Sequence, residues 1–288
     1  MRIKIDGLEI AATRRDPVLA SGRPLIVALH GGLYTGRYFD VPLSPGGSFV
    51  DVASQLGYPT LTFDRPGYGA SAQLPPEENT FERQAALLGA AIQEAAGGSA
   101  VLLVGHSIGG MIALTIAAMS DGPALLGVSA TGMGAYVPSG GGADQITDAA
   151  ASSGQQVVAV PPEACDSVMF GPPATFDPGV LDAAHASYSP APVVELVAAP
   201  RWAAEKLPQL APNVRVPVHN VLGEYDALWD TSPQSIAKFT AFFTAAPHID
   251  ASVMPAVGHS LDHHKAAHAL HLRQLAFAHE CTLRAESR

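Results

Sequence analysis

Residues Ala100-Val101-Leu102-Leu103-Val104-Gly105-His106-Ser107-Ile108-Gly109-Gly110-Met111-Ile112-Ala113-Leu114 join an apolar, strand-length run to a small-residue, helix-forming one that meets no proline before Pro123. Between the two lies Gly-x-Ser-x-Gly. At a strand-to-helix junction this pattern makes a strained turn that lifts one serine hydroxyl above a sheet, and the small flanking residues let strand and helix pack closely beneath it. Ser107 is therefore the candidate nucleophile. Ile108, at the start of the helix, has an N–H with no helical carbonyl to meet, which makes it a candidate donor to a developing oxyanion.

Outward from this junction, strands and helices alternate. Arg2 to Ile5 and Leu8 to Thr13 read as a hairpin about Asp6-Gly7, and Pro24 to Leu29 as a buried strand that ends at His30-Gly31-Gly32. Phe49 to Leu56 reads as a helix, Thr60 to Phe63 as a strand, Phe81 to Ala96 as an alanine-rich helix and Leu125 to Ser129 as a further strand. Such alternation predicts an α/β fold: a mostly parallel central sheet flanked by helices and joined by right-handed crossovers. Ligands bind such sheets outside the carboxyl ends of the strands. His30, Asp64 and Ser107 each follow a strand directly.

From Thr131 to about Asn213 the periodicity dissolves into Gly, Pro, Ala and Ser, punctuated by Gly140-Gly141-Gly142, Pro161-Pro162 and Pro172-Pro173. A structureless loop of that length inside a domain is improbable, so short helices are expected. The chain divides accordingly into a core of residues 1–130 and 214–288 and a small inserted lid, 131–213. Strands resume at Val216 to Leu222 and Ala251 to Met254, with helices at Ser232 to Ala245 and Leu261 to Ala278, and the polar end from Glu280 to Arg288 is expected to fray.

The 288 residues are 48% hydrophobic and 15% charged, the composition of a globular chain long enough to bury a substantial core. With a formal net charge of −10 and no basic run, nothing favours a phosphate backbone, so nucleic-acid binding is not expected. The start of the chain lacks a signal-peptide core and no stretch reaches the length of a bilayer span, which predicts a cytoplasmic protein with no membrane association. Cys165 and Cys281 lack metal or redox spacing and read as free thiols.

A serine nucleophile needs a base to take its proton and a third group to fix that base's tautomer. Leu222-Gly223-Glu224-Tyr225-Asp226 ends one late strand with two carboxylates, and Val253 to Gly258-His259 ends the next with a histidine. Asp226 has rivals in Glu224 and Asp230. His259 has rivals in His263 and His264, but Gly258 permits a tight turn that aims His259 back toward Ser107. His264 and His268 stand four apart with His271 three further on. There is no His-Glu-x-x-His pattern, and exposed histidines on a helical face account for the spacing, so no metal site is expected. Gly31-Gly32-x-x-x-Gly36 fails the dinucleotide-loop spacing, and Pro42 and Pro45 interrupt any long helix behind it, so no cofactor is expected.

Four motifs stand in order: His30-Gly31-Gly32, Asp64-Arg65-Pro66-Gly67-Tyr68-Gly69-Ala70-Ser71, the turn at Ser107, and Gly223-Glu224-Tyr225-Asp226 followed by Gly258-His259. As an ordered set they resemble the α/β-hydrolase family, from the strand at Leu25 to the helix ending near Ala278. The resemblance implies the α/β-hydrolase fold, with Ser107 as nucleophile, Asp226 as acid member and His259 as base. It also implies an oxyanion hole of backbone N–H groups, in which the loop after the Leu25 strand adds Gly32, or else Leu33, to Ile108. Relatives that open haloalkanes or epoxides carry an aspartate at the elbow, and this chain has serine.

The expected activity is cleavage of a carboxylic ester or related acyl bond of a small-molecule substrate through an acyl-enzyme. Lactone, thioester or carbon–carbon bond hydrolysis, and acyl transfer to an alcohol, need only the same triad. From another class comes a ligand-binding protein that uses the pocket without turnover. The bulkier side chains of the insert, Val168, Met169, Phe170, Tyr188, Val193, Val194 and Trp202, point to an apolar substrate. Leu33, His106, Met169, Phe170 and Trp202 are the candidate pocket residues. Asp64-Arg65 reads as a turn fixed by glycines and local hydrogen bonds, and His30 and His106 either support their loops or touch substrate.

Overall fold

Hairpin strands β1 (Arg2–Ile5) and β2 (Leu8–Arg15) open the chain, followed by β3 (Ile26–Leu29), a 3-10 turn at Gly36–Asp40, helix α1 (Phe49–Gln55), β4 (Thr60–Phe63), α2 (Phe81–Ala96), β5 (Val101–His106), α3 (Ile108–Ala118) and β6 (Leu125–Thr131). Next come α4 (Gly142–Ser152), β7 (Val157–Val158), α5 (Pro162–Met169), α6 (Pro178–His185), β8 (Ala191–Pro192), α7 (Val193–Glu205) and α8 (Leu207–Leu210). The chain closes with β9 (Val218–Gly223), α9 (Pro233–Phe242), β10 (Ile249–Met254), a 3-10 turn at Leu261–His263 and α10 (Ala267–Glu286). This is a computed structural model that describes residues 1–19, 22–42 and 46–287; Pro45 and Arg288 lie outside them.

Eight strands form one sheet in the order β1-β2-β4-β3-β5-β6-β9-β10. The β1–β2 and β2–β4 pairs are antiparallel, and every pair from β4 to β10 is parallel. The central strands bury both faces, so period-two alternation sends neighbouring side chains to opposite cores. Val27, Leu29, Val101 and Leu103 join α2, α3 and α9 on one face. Ile26, Ala28, Leu102 and Val104 join α1 and α10 on the other.

The helix boundaries follow from their caps. Thr80 accepts the Arg83 N–H at 3.1 Å to start α2, and Gly97 ends it in the left-handed region at φ 57°. Ser48 and Asp51 form a capping box at α1. Between β6 and β9, helices α4 to α8 and the two-stranded β7–β8 ribbon account for most of the stretch in which the sequence shows no period.

Two expectations fail at the C-terminus. The end does not fray at Glu280: α10 runs to Glu286, because Cys281 is buried with Phe277 against β6. Nor do the spaced histidines share an exposed face. His264 precedes α10 and is buried, as is His271, whereas His268 is exposed. His271 meets Asp262 at 3.1 Å, and His264 accepts the Gly258 and Gly171 N–H groups at 3.0 and 3.2 Å, so both rings tie loops together.

Cys165, in α5, and Cys281 are free and buried, and burial pushes both thiols up to about 12. Among the described residues, no helix is long and apolar enough to cross a membrane.

Candidate active site

Ser107 leaves β5 with φ 53° and ψ −122°, a backbone conformation that side-chain-bearing residues rarely adopt. Packing holds it there. A Cβ on Gly105 would lie 2.5 Å from the Gly109 carbonyl oxygen, and one on Gly109 only 2.0 Å from that of Leu29, so α3 sits against β5 and β3 at a distance only glycine allows. The Ser107 N–H donates to the Thr131 carbonyl at 2.7 Å, which ties the turn to the end of β6.

Asp226 follows β9 and His259 follows β10, the two parallel neighbours at the sheet edge. His259 Nδ1 donates to Asp226 Oδ2 at 2.9 Å, and neither side chain has exposed surface. Asp226 Oδ1 accepts the N–H groups of Leu228 and Trp229 at 2.9 and 3.1 Å. The carboxylate is thus oriented from both sides, and the imidazole is fixed with its proton on Nδ1. His259 Nε2 is buried without a hydrogen-bond partner, so the contact with Ser107 is not closed in this structure.

The rivals are engaged elsewhere. Glu224 accepts the Ala256 N–H at 2.8 Å from an exposed position, and Asp230 accepts the Ser232 N–H at 2.9 Å. His263 Nε2 donates to the Tyr38 carbonyl at 3.0 Å, and His264 Nδ1 to that of Ser260 at 2.9 Å.

His106 is fully buried, its ring stacked on Tyr38 at 4.3 Å between centroids and 4.9 Å from that of His259. Its Nε2 donates to the His259 carbonyl at 2.9 Å, which ties the turn at Ser107 to the loop carrying the His259 imidazole. Burial, reinforced by the charge His259 can carry, lowers its pKa to about 3 and keeps the ring neutral.

A cavity opens beside Ser107. Its wall includes Gly32, Leu33, Ile108, Met169, Leu196 and Trp229, and among the described residues that line it Ser107 contributes the only side-chain hydroxyl. Of the candidate pocket residues, Leu33 and Met169 are among those that line the cavity. His106, Phe170 and Trp202 are not among the lining residues. His106 is the layer beneath, Phe170 packs edge-on against Phe176 at 4.9 Å, and Trp202 lies in the core and borders a separate cleft beside Phe81. Trp229, which the sequence does not single out, takes the place of the large aromatic wall. Its signal was the three-residue offset from Asp226, whose carboxylate folds the loop back on itself.

The Asp64-Arg65 motif is only half a local turn. Asp64 closes it by accepting the Gly36 and Ala70 N–H groups at 2.9 and 3.0 Å. Arg65 instead lies fully buried and forms an ion pair with Glu195, also without exposed surface, in the first turn of α7. Gln84 Nε2 donates to Glu195 at 2.9 Å, and the Tyr68 hydroxyl donates to the same carboxylate. On its other side, Arg65 donates to the carbonyls of His30 at 2.7 Å and Gly31 at 3.1 Å. Glu195 escapes sequence reasoning because a lone acid in Val193-Val194-Glu195-Leu196 reads as a solvated position.

The sequence profile of the alpha/beta hydrolase family matches residues 26–274, which takes in all the motifs just described. The chain belongs to the alpha/beta hydrolase family. Solved structures agree on the fold. An esterase from Thermogutta terrifontis, with malate bound, is 19% identical at a TM-score of 0.69, covering 99% of this hydrolase and 98% of its own chain. The enol-lactonase from Burkholderia xenovorans LB400 is 17% identical at a TM-score of 0.71, covering 96% and 99%. An N-acyl homoserine lactonase complexed with N-hexanoyl homoserine lactone is 16% identical at a TM-score of 0.65, covering 98% of each chain. No curated protein sequence matches this hydrolase.

Proposed function

We propose that this alpha/beta hydrolase is a serine hydrolase that cleaves a carboxylic ester or related acyl bond of a small, mainly apolar substrate through an acyl-enzyme. The observation that carries the reading is the buried Asp226–His259 pair, its Nε2 unpartnered, beside a cavity that holds Ser107 on a strained turn.

In this reading His259 Nε2 takes the Ser107 proton as Oγ attacks the acyl carbon. Asp226 holds the tautomer and stabilises the imidazolium that forms. The N–H groups of Gly32 and Ile108 receive the oxyanion, and His259 then protonates the leaving alcohol. Water enters, gives a proton to the same nitrogen and adds its oxygen to the acyl carbon; the bond from that carbon to Ser107 Oγ then breaks, His259 returns the proton to Oγ, and the acid leaves. A hydrogen bond that is long without substrate and tightens in the reacting complex is common at such sites. The insert, residues 131–213, acts as the lid over the core of 1–130 and 214–288, since Met169 and Leu196 reach the cavity from it. The apolar lining favours a hydrocarbon acyl group over a charged one.

A fluorophosphonate probe tests the assignment. Prompt adduct formation on Ser107 in the folded protein, lost in Ser107→Ala and in His259→Ala, is the expected result. Folded wild-type protein that never labels would point instead to a ligand-binding role.

A further inference from the structure

The peptide unit joining Gly31 to Gly32 carries the Gly31 carbonyl on one side and the Gly32 N–H on the other. A trans peptide is planar, so whatever holds the oxygen also aims the N–H in the opposite direction. Two donors hold that oxygen: Arg65 Nη2 at 3.1 Å and His30 Nδ1 at 2.7 Å. His30 is itself set by Arg65, whose backbone N–H donates to His30 Nε2 at 3.0 Å and whose Nε donates to the His30 carbonyl at 2.7 Å. One residue therefore supplies three of the hydrogen bonds that shape this loop.

The guanidinium is immobilised from behind. Both Glu195 oxygens accept from it, and Gln84 and Tyr68 fill the remaining acceptor positions of the carboxylate. A buried ion pair is a poor source of net stability, because removing two charges from water offsets their attraction. Its rigidity is what it adds. Leu196, the residue after Glu195, lines the cavity, and its Cδ2 would lie 3.2 Å from a Cβ on Gly32.

We propose that Arg65, locked by Glu195, is a positioning residue of the oxyanion hole: it fixes the plane of the Gly31–Gly32 peptide and sets the hole in register with the cavity wall on α7. This rests on the acyl-transfer reading above, with Gly32 as one donor. Tyr68 and Gln84 serve the same end indirectly by completing the Glu195 shell.

Arg65→Lys keeps the charge and loses the planar fork that reaches two carbonyls and a carboxylate together. Turnover of a nitrophenyl ester, normalised to titrated active sites, should fall about 10- to 100-fold in kcat. KM should stay within about threefold. Affinity for a trifluoromethyl ketone of matching acyl length, which mimics the tetrahedral intermediate, should fall by the same factor as kcat/KM. Glu195→Gln should show a smaller loss of the same kind, and it provides the readout should Arg65→Lys not fold. Phe239→Leu, buried on α9 and not among the cavity's lining residues, should lower the melting temperature while leaving kcat near wild type. Wild-type kcat per titrated site in both network variants overturns the proposal, as does an equal kcat loss in Phe239→Leu. Wild-type protein that neither turns over esters nor binds the ketone overturns the acyl-transfer reading first, a failure visible without any Arg65 variant.

Discussion

His259 Nδ1 stands 2.9 Å from Asp226 Oδ2 across the ends of two adjacent parallel strands, with both side chains sealed from solvent. Asp226→Asn replaces the acceptor with a group that can donate, so the imidazole is free to take the wrong tautomer. Turnover should drop by roughly 10⁴-fold with the fold retained. Steady-state kinetics beside a circular-dichroism spectrum check this. A rate that survives Asp226→Asn but collapses in Glu224→Gln would transfer the acid role.

The buried histidines make stability depend on pH. Burial is the main cause of lowered pKa values for His106, to about 3, and for His219 and His264, to about 4. Unfolded, each returns to about 6.5. The unfolded chain therefore binds more protons between those values, and the stability these groups contribute is present in full above about pH 6.5 and is lost as pH falls toward 3 to 4. Each histidine should remove up to about 2 kcal/mol between pH 6.5 and 5. Urea midpoints across that range should fall steeply in wild type and less steeply in His219→Gln. Identical slopes would refute the assignment for that ring.

Glycine contacts separate two otherwise similar substitutions. Gly109→Ala would place its Cβ 2.0 Å from the Leu29 carbonyl oxygen, a rigid backbone atom, whereas a Cβ on Gly179 in α6 meets nothing within 4 Å. Gly109→Ala should destabilise by about 4 kcal/mol or more, or prevent folding, and Gly179→Ala should be neutral or stabilise by up to about 1 kcal/mol. Chemical denaturation of the pair decides it.

Trp229 is the large side chain of the cavity wall, and it is 4% exposed. Trp229→Ala should shift the preferred acyl length upward, with kcat/KM falling for short chains and rising relative to them for long ones. It should also lower stability by about 3 to 5 kcal/mol. A nitrophenyl ester series of increasing chain length measures the shift; an unchanged profile would place the acyl group elsewhere.

Most of the sheet was legible because its signals are local. The elbow lies within a few residues, Phe81–Ala96 shows its own period and cap, and the chain order of Ser107, Asp226 and His259 follows strand ends that valine-rich runs announce. What escaped depends on long-range partners. Arg65 and Glu195 are 130 residues apart, and nothing near either one distinguishes a buried ion pair from two solvated charges. Its size makes Trp202 a candidate for the pocket, but size says only that a side chain seeks cover, and α7 turns it toward the core. The histidines at 264 and 271 showed helical spacing, yet the helix starts at Ala267, which assigns each ring to a different buried contact.

The two free cysteines make this hydrolase its own stopwatch. Cys165 sits in α5, the helix that ends at Met169 of the cavity wall, and Cys281 in α10, both buried and both with thiols pushed up to about 12. Alkylating reagents thus reach each sulfur only when its neighbourhood opens. Mass spectrometry of the two tryptic fragments would time the opening around α5 and the departure of the last helix separately, with no dye or engineered label to perturb either.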